Sequence, residues 1–220
     1  MPLLRPSLPV TAAIVLWLYF ASAMPLVDYD YFWHSEVGEW IVSHGWTLPA
    51  TEPFAFTTAH MRWVVQGWLF DTMQHLCHRH LGDFGVRAMY GLLAVGTWSL
   101  VYRSVRMFLA GEASRALLVT GICAAAAAPF MTARPIAATN LAFAFVIFAL
   151  LKYQATGALR WLIALPPVFG LWVNLHFGYV TGFALIALFA FSALLDRFLP
   201  IAGSPLQRAA LNPRTALVLL

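Results

Sequence analysis

Charge-poor apolar runs alternate with short polar segments along the chain, and the lengths of those runs set its architecture. A helix rises about 1.5 Å per residue, so about 20 apolar residues are needed to cross roughly 30 Å of hydrocarbon. Residues 7–27 meet that length, and because several further runs follow they read as a retained first span rather than a cleaved signal peptide. The next runs fall at 85–102, 116–133 and 135–151. Residues 161–195 hold 35 positions without Asp, Glu, Lys or Arg, about 52 Å as one helix and too long for one span. The polar interruption NLHFG at 174–178 is where that run should turn, giving a fifth and a sixth span, with Pro166 and Pro167 bending the fifth. The final LNPRTALVLL reads as the opening turns of a seventh span and predicts a longer protein. The expected fold class is all-α, a polytopic membrane helical bundle of about six spans forming one domain over residues 1–220.

The pattern changes between residues 28 and 87. About 60 residues separate the first two spans there, whereas structureless loops above about 15 residues are uncommon and usually functional. Trp33, Val37, Trp40, Ile41 and His44 recur at helical spacing, and Gly45 is placed to close that helix. GWTLPATEPFAFTT, residues 45–58, carries two prolines and reads as an extended connector. Trp68, Leu69, Met73, Leu76 and Cys77 make a second helical stripe that stops near Gly82. The prediction is a large outer first loop, 28–87, folded as a cap with interfacial helices near 33–44 and 68–80.

Composition fixes the class. The chain is 61% hydrophobic and 10% charged, with a mean hydropathy of +0.76, against about 25% charged in soluble domains. That is an integral membrane protein. Its pI is near 9.4, but the basic residues stand in ones and twos at the ends of apolar runs, which argues against a nucleic-acid partner. Cys77 and Cys123 lie in different settings and form no disulfide framework or CxxC pattern. With the N-terminus inside, nine Lys and Arg fall on the cytoplasmic side and four outside, Arg62, Arg79, Arg87 and Arg134, the asymmetry of the positive-inside rule. All seven His and seven of the nine acids then lie outside, mostly in the first loop.

Ionisable groups gather at the outer mouth of the first span. Asp28 and Asp30 would serve simply to stop a helix at headgroup level, and spacing alone does not exclude that. Their neighbours His34, Glu36 and Glu39, among Trp and Tyr residues, favour chemistry: carboxylates crowded in a partly dry pocket shift one another's pKa and can act as base or metal ligand. HExxH is absent, and the four groups of HLCHRH, residues 75–80, do not converge at helical spacing, so a metal centre is only weakly indicated. Arg134 in TARPIAATN, and Asn174 and His176 in WVNLHFGY, are polar groups at outer ends of spans.

Taken in order, Asp-x-Asp after the first span, WHSEVGEWI, HGWTLPATEPFAFT, WLFD, an outer RP and LWVNLHFGY resemble bacterial membrane glycosyltransferases of the GT-C superfamily, in the protein-mannosyltransferase-like and Rgt-type branch. The resemblance covers roughly residues 7–200 and implies a GT-C-like transmembrane domain in a bacterial inner membrane, with its active site on the outer side. It implies inverting transfer of a sugar from a polyprenyl-phosphate carrier to a glycan, lipid or protein acceptor. Asp30 and Asp28 would be the catalytic acids, Asp30 foremost as base. His34, Glu39, Arg62, Arg134, Asn174 and His176 would bind the donor phosphate or sugar. No cofactor is required by the pattern, although a divalent metal is compatible with it. Many family members have adjacent acids where this chain has Asp-Tyr-Asp, and most have eight or more spans and a further C-terminal part.

Two other classes compete. A transporter would bury ionisable groups at mid-membrane, and the span interiors here are almost free of them. A non-catalytic membrane scaffold is the stronger rival, and it would not need the acidic cluster.

Overall fold

A computed structural model describes residues 7–26 and 28–198. The expected seventh span, within 211–220, lies outside the described residues. The described residues are helical apart from loops and turns, and no strand occurs among them beyond one isolated bridge. In chain order the helices are α1 (Leu8–Ala23), α2 (Tyr29–Ser43), α3 (Trp68–Phe108), α4 (Ala113–Ala127) with a 3-10 turn at Ala128–Phe130, α5 (Ile136–Thr156), the short α6 (Arg160–Ile163), α7 (Leu165–Leu175) and α8 (Tyr179–Phe198).

Three of these stretches are long and apolar enough to cross a membrane: Trp68–Phe108, Ala113–Phe130 and Ile136–Thr156. The others supply shorter apolar stretches, Leu8–Phe20, Arg160–Leu175 and Tyr179–Leu195. The sequence explains the shortening. α1 stops at Ala23, before the expected 27, because Pro25 cannot continue a helix. The α6–α7 stretch breaks at Ala164, just ahead of Pro166 and Pro167, which lack the N–H groups a continuous helix would use. The long apolar run turns where the polar interruption predicts, with α7 ending at Leu175 and α8 beginning at Tyr179.

The stripe from Trp68 and the second apolar run, separate in the sequence reading, are two helical arms that meet at a non-helical Gly82. Gly82 sits at φ 60°, ψ −156° inside α3, a conformation that favours glycine. The turn there is tight: a Cβ on Gly85 would stand 2.5 Å from the Cys77 carbonyl oxygen. The first arm holds Asp71, His75, His78, Arg79 and His80, and the apolar spanning character belongs to the second arm.

The chain divides into two compact units. The first takes the described residues up to Val95 together with 131–139 and 171–177, and it contains every predicted site residue. Within it, α1 crosses the second arm of α3 at Gly91, where a Cβ would stand 3.0 Å from Trp17 Cδ1 and 3.1 Å from Phe20 Cβ. Trp17 Nε1 also donates to the Ala88 carbonyl at 3.3 Å. Small residues at such crossings let backbones approach closely. α2 packs on the segment ahead of α3: Val37 and Ile41 are buried with Val65, flanked by Trp40, Trp63 and Trp68. Burying two such aliphatic side chains contributes about 1.5–3 kcal/mol each. Gly45 follows α2 at φ 67° and closes it.

The second unit comprises 96–130, 140–170 and the described residues from Gly178. Gly96 of α3 meets Leu141 of α5, whose Cδ1 would lie 2.9 Å from a Cβ there. Phe148 and Trp161 stand edge to face, ring centres 5.5 Å apart.

Candidate functional site

Asp28 caps α2. Its Oδ1 accepts the backbone N–H of Asp30 at 3.1 Å, satisfying one of the donors that a helix N-terminus leaves unpaired. Its other oxygen accepts Arg134 Nε–H at 2.7 Å. Asp28 is only 10% exposed and Asp30 is 51% exposed, and Arg134 Nε also lies 3.4 Å from Asp30 Oδ2. The Arg134 hydrogen bond, helped by the Asp30 amide and by Thr132, holds the Asp28 carboxyl below its ordinary pKa despite the opposing effect of burial. Arg134 is delivered by the turn ahead of α5, where the Arg134 amide bonds the Thr132 carbonyl at 2.9 Å and Pro135 follows.

One helical turn beyond Asp30 stands His34, on the same side of α2. His34 Nδ1 lies 2.7 Å from Oδ1 of Asp71 in the first arm of α3. Asp71 is 2% exposed. Burial raises its pKa, and the bond to His34 opposes that rise. With Asp71 ionised, Nδ1–H donates to the carboxylate, and the Nε2 lone pair of a neutral imidazole is left as an acceptor.

Two contacts fix this geometry. A Cβ on Gly38 would collide with the Asp71 carbonyl and approach His75 Cβ within 2.7 Å, so only glycine lets α2 lie this close to α3. The buried Gln74 then ties three segments together, donating through Nε2 to the Tyr31 carbonyl and to Ser35 Oγ, both at 2.9 Å, while Tyr90 donates its hydroxyl to Gln74 Oε1 at 2.8 Å.

The end of α7 adds a second polar string. The indole N–H of the buried Trp172 donates to Thr139 Oγ1 at 2.9 Å, and Thr139 Oγ1 lies 2.7 Å from His176 Nδ1. Burial lowers the His176 pKa, and the positive charge His34 can carry nearby lowers it further. Asn174 accepts Trp68 Nε1–H at 2.7 Å. Gly67, at φ 87°, lets that turn approach, since a Cβ would stand 2.9 Å from the Leu175 carbonyl oxygen.

Of the predicted residues, the structure joins Asp28, Asp30 and Arg134 directly, and the shared electrostatics relate His34 to His176. It does not bring the rest to that cluster. Glu39 lies nine positions from Asp30, about 180° round the helix, and acts electrostatically on His75 instead. Arg62 is exposed, pairs its backbone with Thr51 and forms no ion pair among the described residues. Asn174 is engaged with Trp68. Among the described residues no three His, Cys, Asp or Glu side chains are grouped to hold a metal. In HLCHRH, Cys77 instead faces Met89 sulfur to sulfur at 3.8 Å, and His78 pairs with Asp83 at 3.5 Å.

Asp71, Gln74 and Thr139 were missed by the sequence reasoning as site residues. The signal for Asp71 was a lone carboxylate inside an apolar stripe, between Phe70 and Met73, where only a buried partner makes the charge tolerable. Gln74 sat in the same stripe, but its three partners come from other segments. No family model, curated protein or solved structure matches the chain.

Proposed function

We propose that the chain is an inverting membrane glycosyltransferase that moves a sugar from a polyprenyl-phosphate donor to an acceptor hydroxyl at the outer face of a bacterial inner membrane. The observation that carries this reading is the head of α2, where one guanidinium stands 2.7 Å from Asp28 and 3.4 Å from Asp30 just after the apolar α1. A carrier lipid keeps its tail in the bilayer and its phosphate at the interface, so its reacting groups belong beside the end of such a helix.

The two carboxylates divide the work. Asp28 already accepts from the Asp30 amide and from Arg134, and suits positioning. Asp30, half exposed and more loosely held, suits the base. As the acceptor oxygen attacks the anomeric carbon, its proton passes to Asp30, the bond from that carbon to the phosphate oxygen breaks, and the lipid phosphate leaves with the electron pair. Arg134 would stabilise the departing phosphate, and His34, held in orientation by Asp71, would add an Nε2–H donor in its protonated form. The Trp and Tyr residues of the cap would supply an interfacial belt and a surface on which a sugar ring stacks.

The topology proposed with this chemistry has six spans, the N-terminus inside and 28–87 outside, from the Lys and Arg asymmetry. After Cys77 and Cys123 are replaced, single cysteines at the exposed Ser43 and Ser114 should differ, with only the former labelled from outside. Equal labelling would reverse the proposal. The activity is tested by incubating purified protein with labelled polyprenyl-phosphate sugars and following transfer. Release or transfer of sugar that depends on Asp30 supports the reading, and a donor that is neither bound nor turned over defeats it.

A further inference from the structure

The second unit carries a cluster unlike anything in the candidate site: three cations from three helices gathered on two aromatic rings. Arg103 of α3 and Lys152 of α5 both stand over the Phe148 ring, at 5.7 Å and 5.8 Å from its centre. Arg160 of α6 stands over Trp161 at 5.6 Å, and Trp161 meets Phe148 edge to face. The turn between α5 and α6 is built to bring Arg160 back to this place. Gly157 adopts φ 67°, its amide bonds the Tyr153 carbonyl at 2.7 Å, and the Thr156 hydroxyl donates to the Lys152 carbonyl at 2.7 Å.

A bias of Lys and Arg to one side of a membrane accounts for the sign of these charges but not for their convergence. Cations that merely mark orientation gain by spreading into water, because like charges brought together repel. Here the rings hold them together, and each cation–ring contact partly offsets that repulsion. Beside them the indole Nε1 of Trp161 is buried with no hydrogen-bond partner among the described residues, a donor that an oxyanion would satisfy. Two guanidiniums with an ammonium are suited to phosphate, the guanidiniums through paired N–H donors and the ammonium as a point charge.

We infer that Arg103, Lys152 and Arg160, on the Phe148–Trp161 ring pair, form a binding site for a phosphate oxyanion, with an anionic phospholipid headgroup as its source. All three side chains belong to the ends of apolar helices, where headgroups lie, and basic pockets between spanning helices bind anionic lipid heads. The inference is independent of the glycosyl-transfer reading and survives its failure.

Full-length protein in detergent is titrated with phosphatidylglycerol, phosphatidylcholine or inorganic phosphate, and bound lipid is counted by native mass spectrometry alongside thermal stability. Phosphatidylglycerol should be retained about tenfold more strongly than phosphatidylcholine. R103Q/R160Q should remove that preference and R103K/R160K should keep most of it, which separates loss of charge from loss of fold. R115Q, at an arginine already paired with Glu112 at 3.1 Å, should leave the preference unchanged. Stabilisation by inorganic phosphate that equals the lipid's and disappears in R103Q/R160Q keeps the oxyanion site and reassigns its source to free phosphate. An equal preference in wild type and R103Q/R160Q, or none in wild type, overturns it.

Discussion

The head of α2 and the α5–α6 turn both concentrate charge, and they do so in opposite ways. At the head of α2 one arginine meets two carboxylates, each residue of the set drawn to its place by an opposite charge or a helix N-terminus. At the α5–α6 turn three cations gather over aromatic rings. Mixed charge in fixed geometry can accept a proton at one atom while steadying an anion at another, as a reaction centre must. A cluster of one sign cannot, but it can hold an anion that arrives from elsewhere. The lesson is that the balance of signs, more than the number of charged residues, separates a centre of chemistry from a receptor.

That contrast depends first on α2 being clamped in place. Gly38→Val should cost the most, about 2–3 kcal/mol of stability, because the new side chain runs into the backbone at Asp71 and the helices must part. Thermal unfolding in a fixed detergent measures it, and an unchanged midpoint would mean the close approach is not what orders the head of α2.

Arg134→Ala removes the cation from the mixed-charge cluster. Donor binding and turnover should both fall, together about 30-fold in kcat/KM, whereas the same change at Arg115 should do nothing. If only turnover fell, Arg134 would be orienting Asp28 rather than holding phosphate.

Asp71→Asn keeps the shape of the buried partner of His34 but not its charge. Turnover should drop about tenfold with donor binding intact, and its pH profile should shift, because the imidazole loses the group that sets its tautomer. An unshifted profile would make the pair a packing contact.

The smallest effect concerns pH. Asp28 titrates below its ordinary value of about 3.9 in the folded protein, so its contribution to stability is full above that value and is lost as pH falls through the depressed one. Asp28→Asn should therefore flatten the acid limb of a stability curve measured between pH 5 and pH 2. A limb as steep as the wild type's would mean that other carboxylates carry it.

How much of this was legible depended on range along the chain. The helix from Trp33 to His44, the stripe from Trp68 and the turn near Asn174 were readable because periodicity and breakers act within a few residues. The break at Gly82 was readable for the same reason, since the stripe from Trp68 stops at a residue free to leave the helical conformation. Asp28, Asp30 and Arg134 were each named, but their meeting spans 106 positions from Asp28 to Arg134 and no local pattern encodes it. Glu39 shows the reverse error: close to Asp30 in sequence, it lies on the other side of α2 by helix geometry alone.

The most direct test is transfer of labelled sugar from a polyprenyl-phosphate donor by a form of the protein shown to be active, compared across wild type, Asp30→Asn, Asp28→Asn and the double change. Asparagine keeps the size of each side chain and removes the proton acceptor, so Asp30→Asn should lower turnover about 100-fold or more with donor binding retained, and Asp28→Asn should lower it less. Full transfer by the double variant would contradict the account and leave the two aspartates as the cap and neighbour of a helix end.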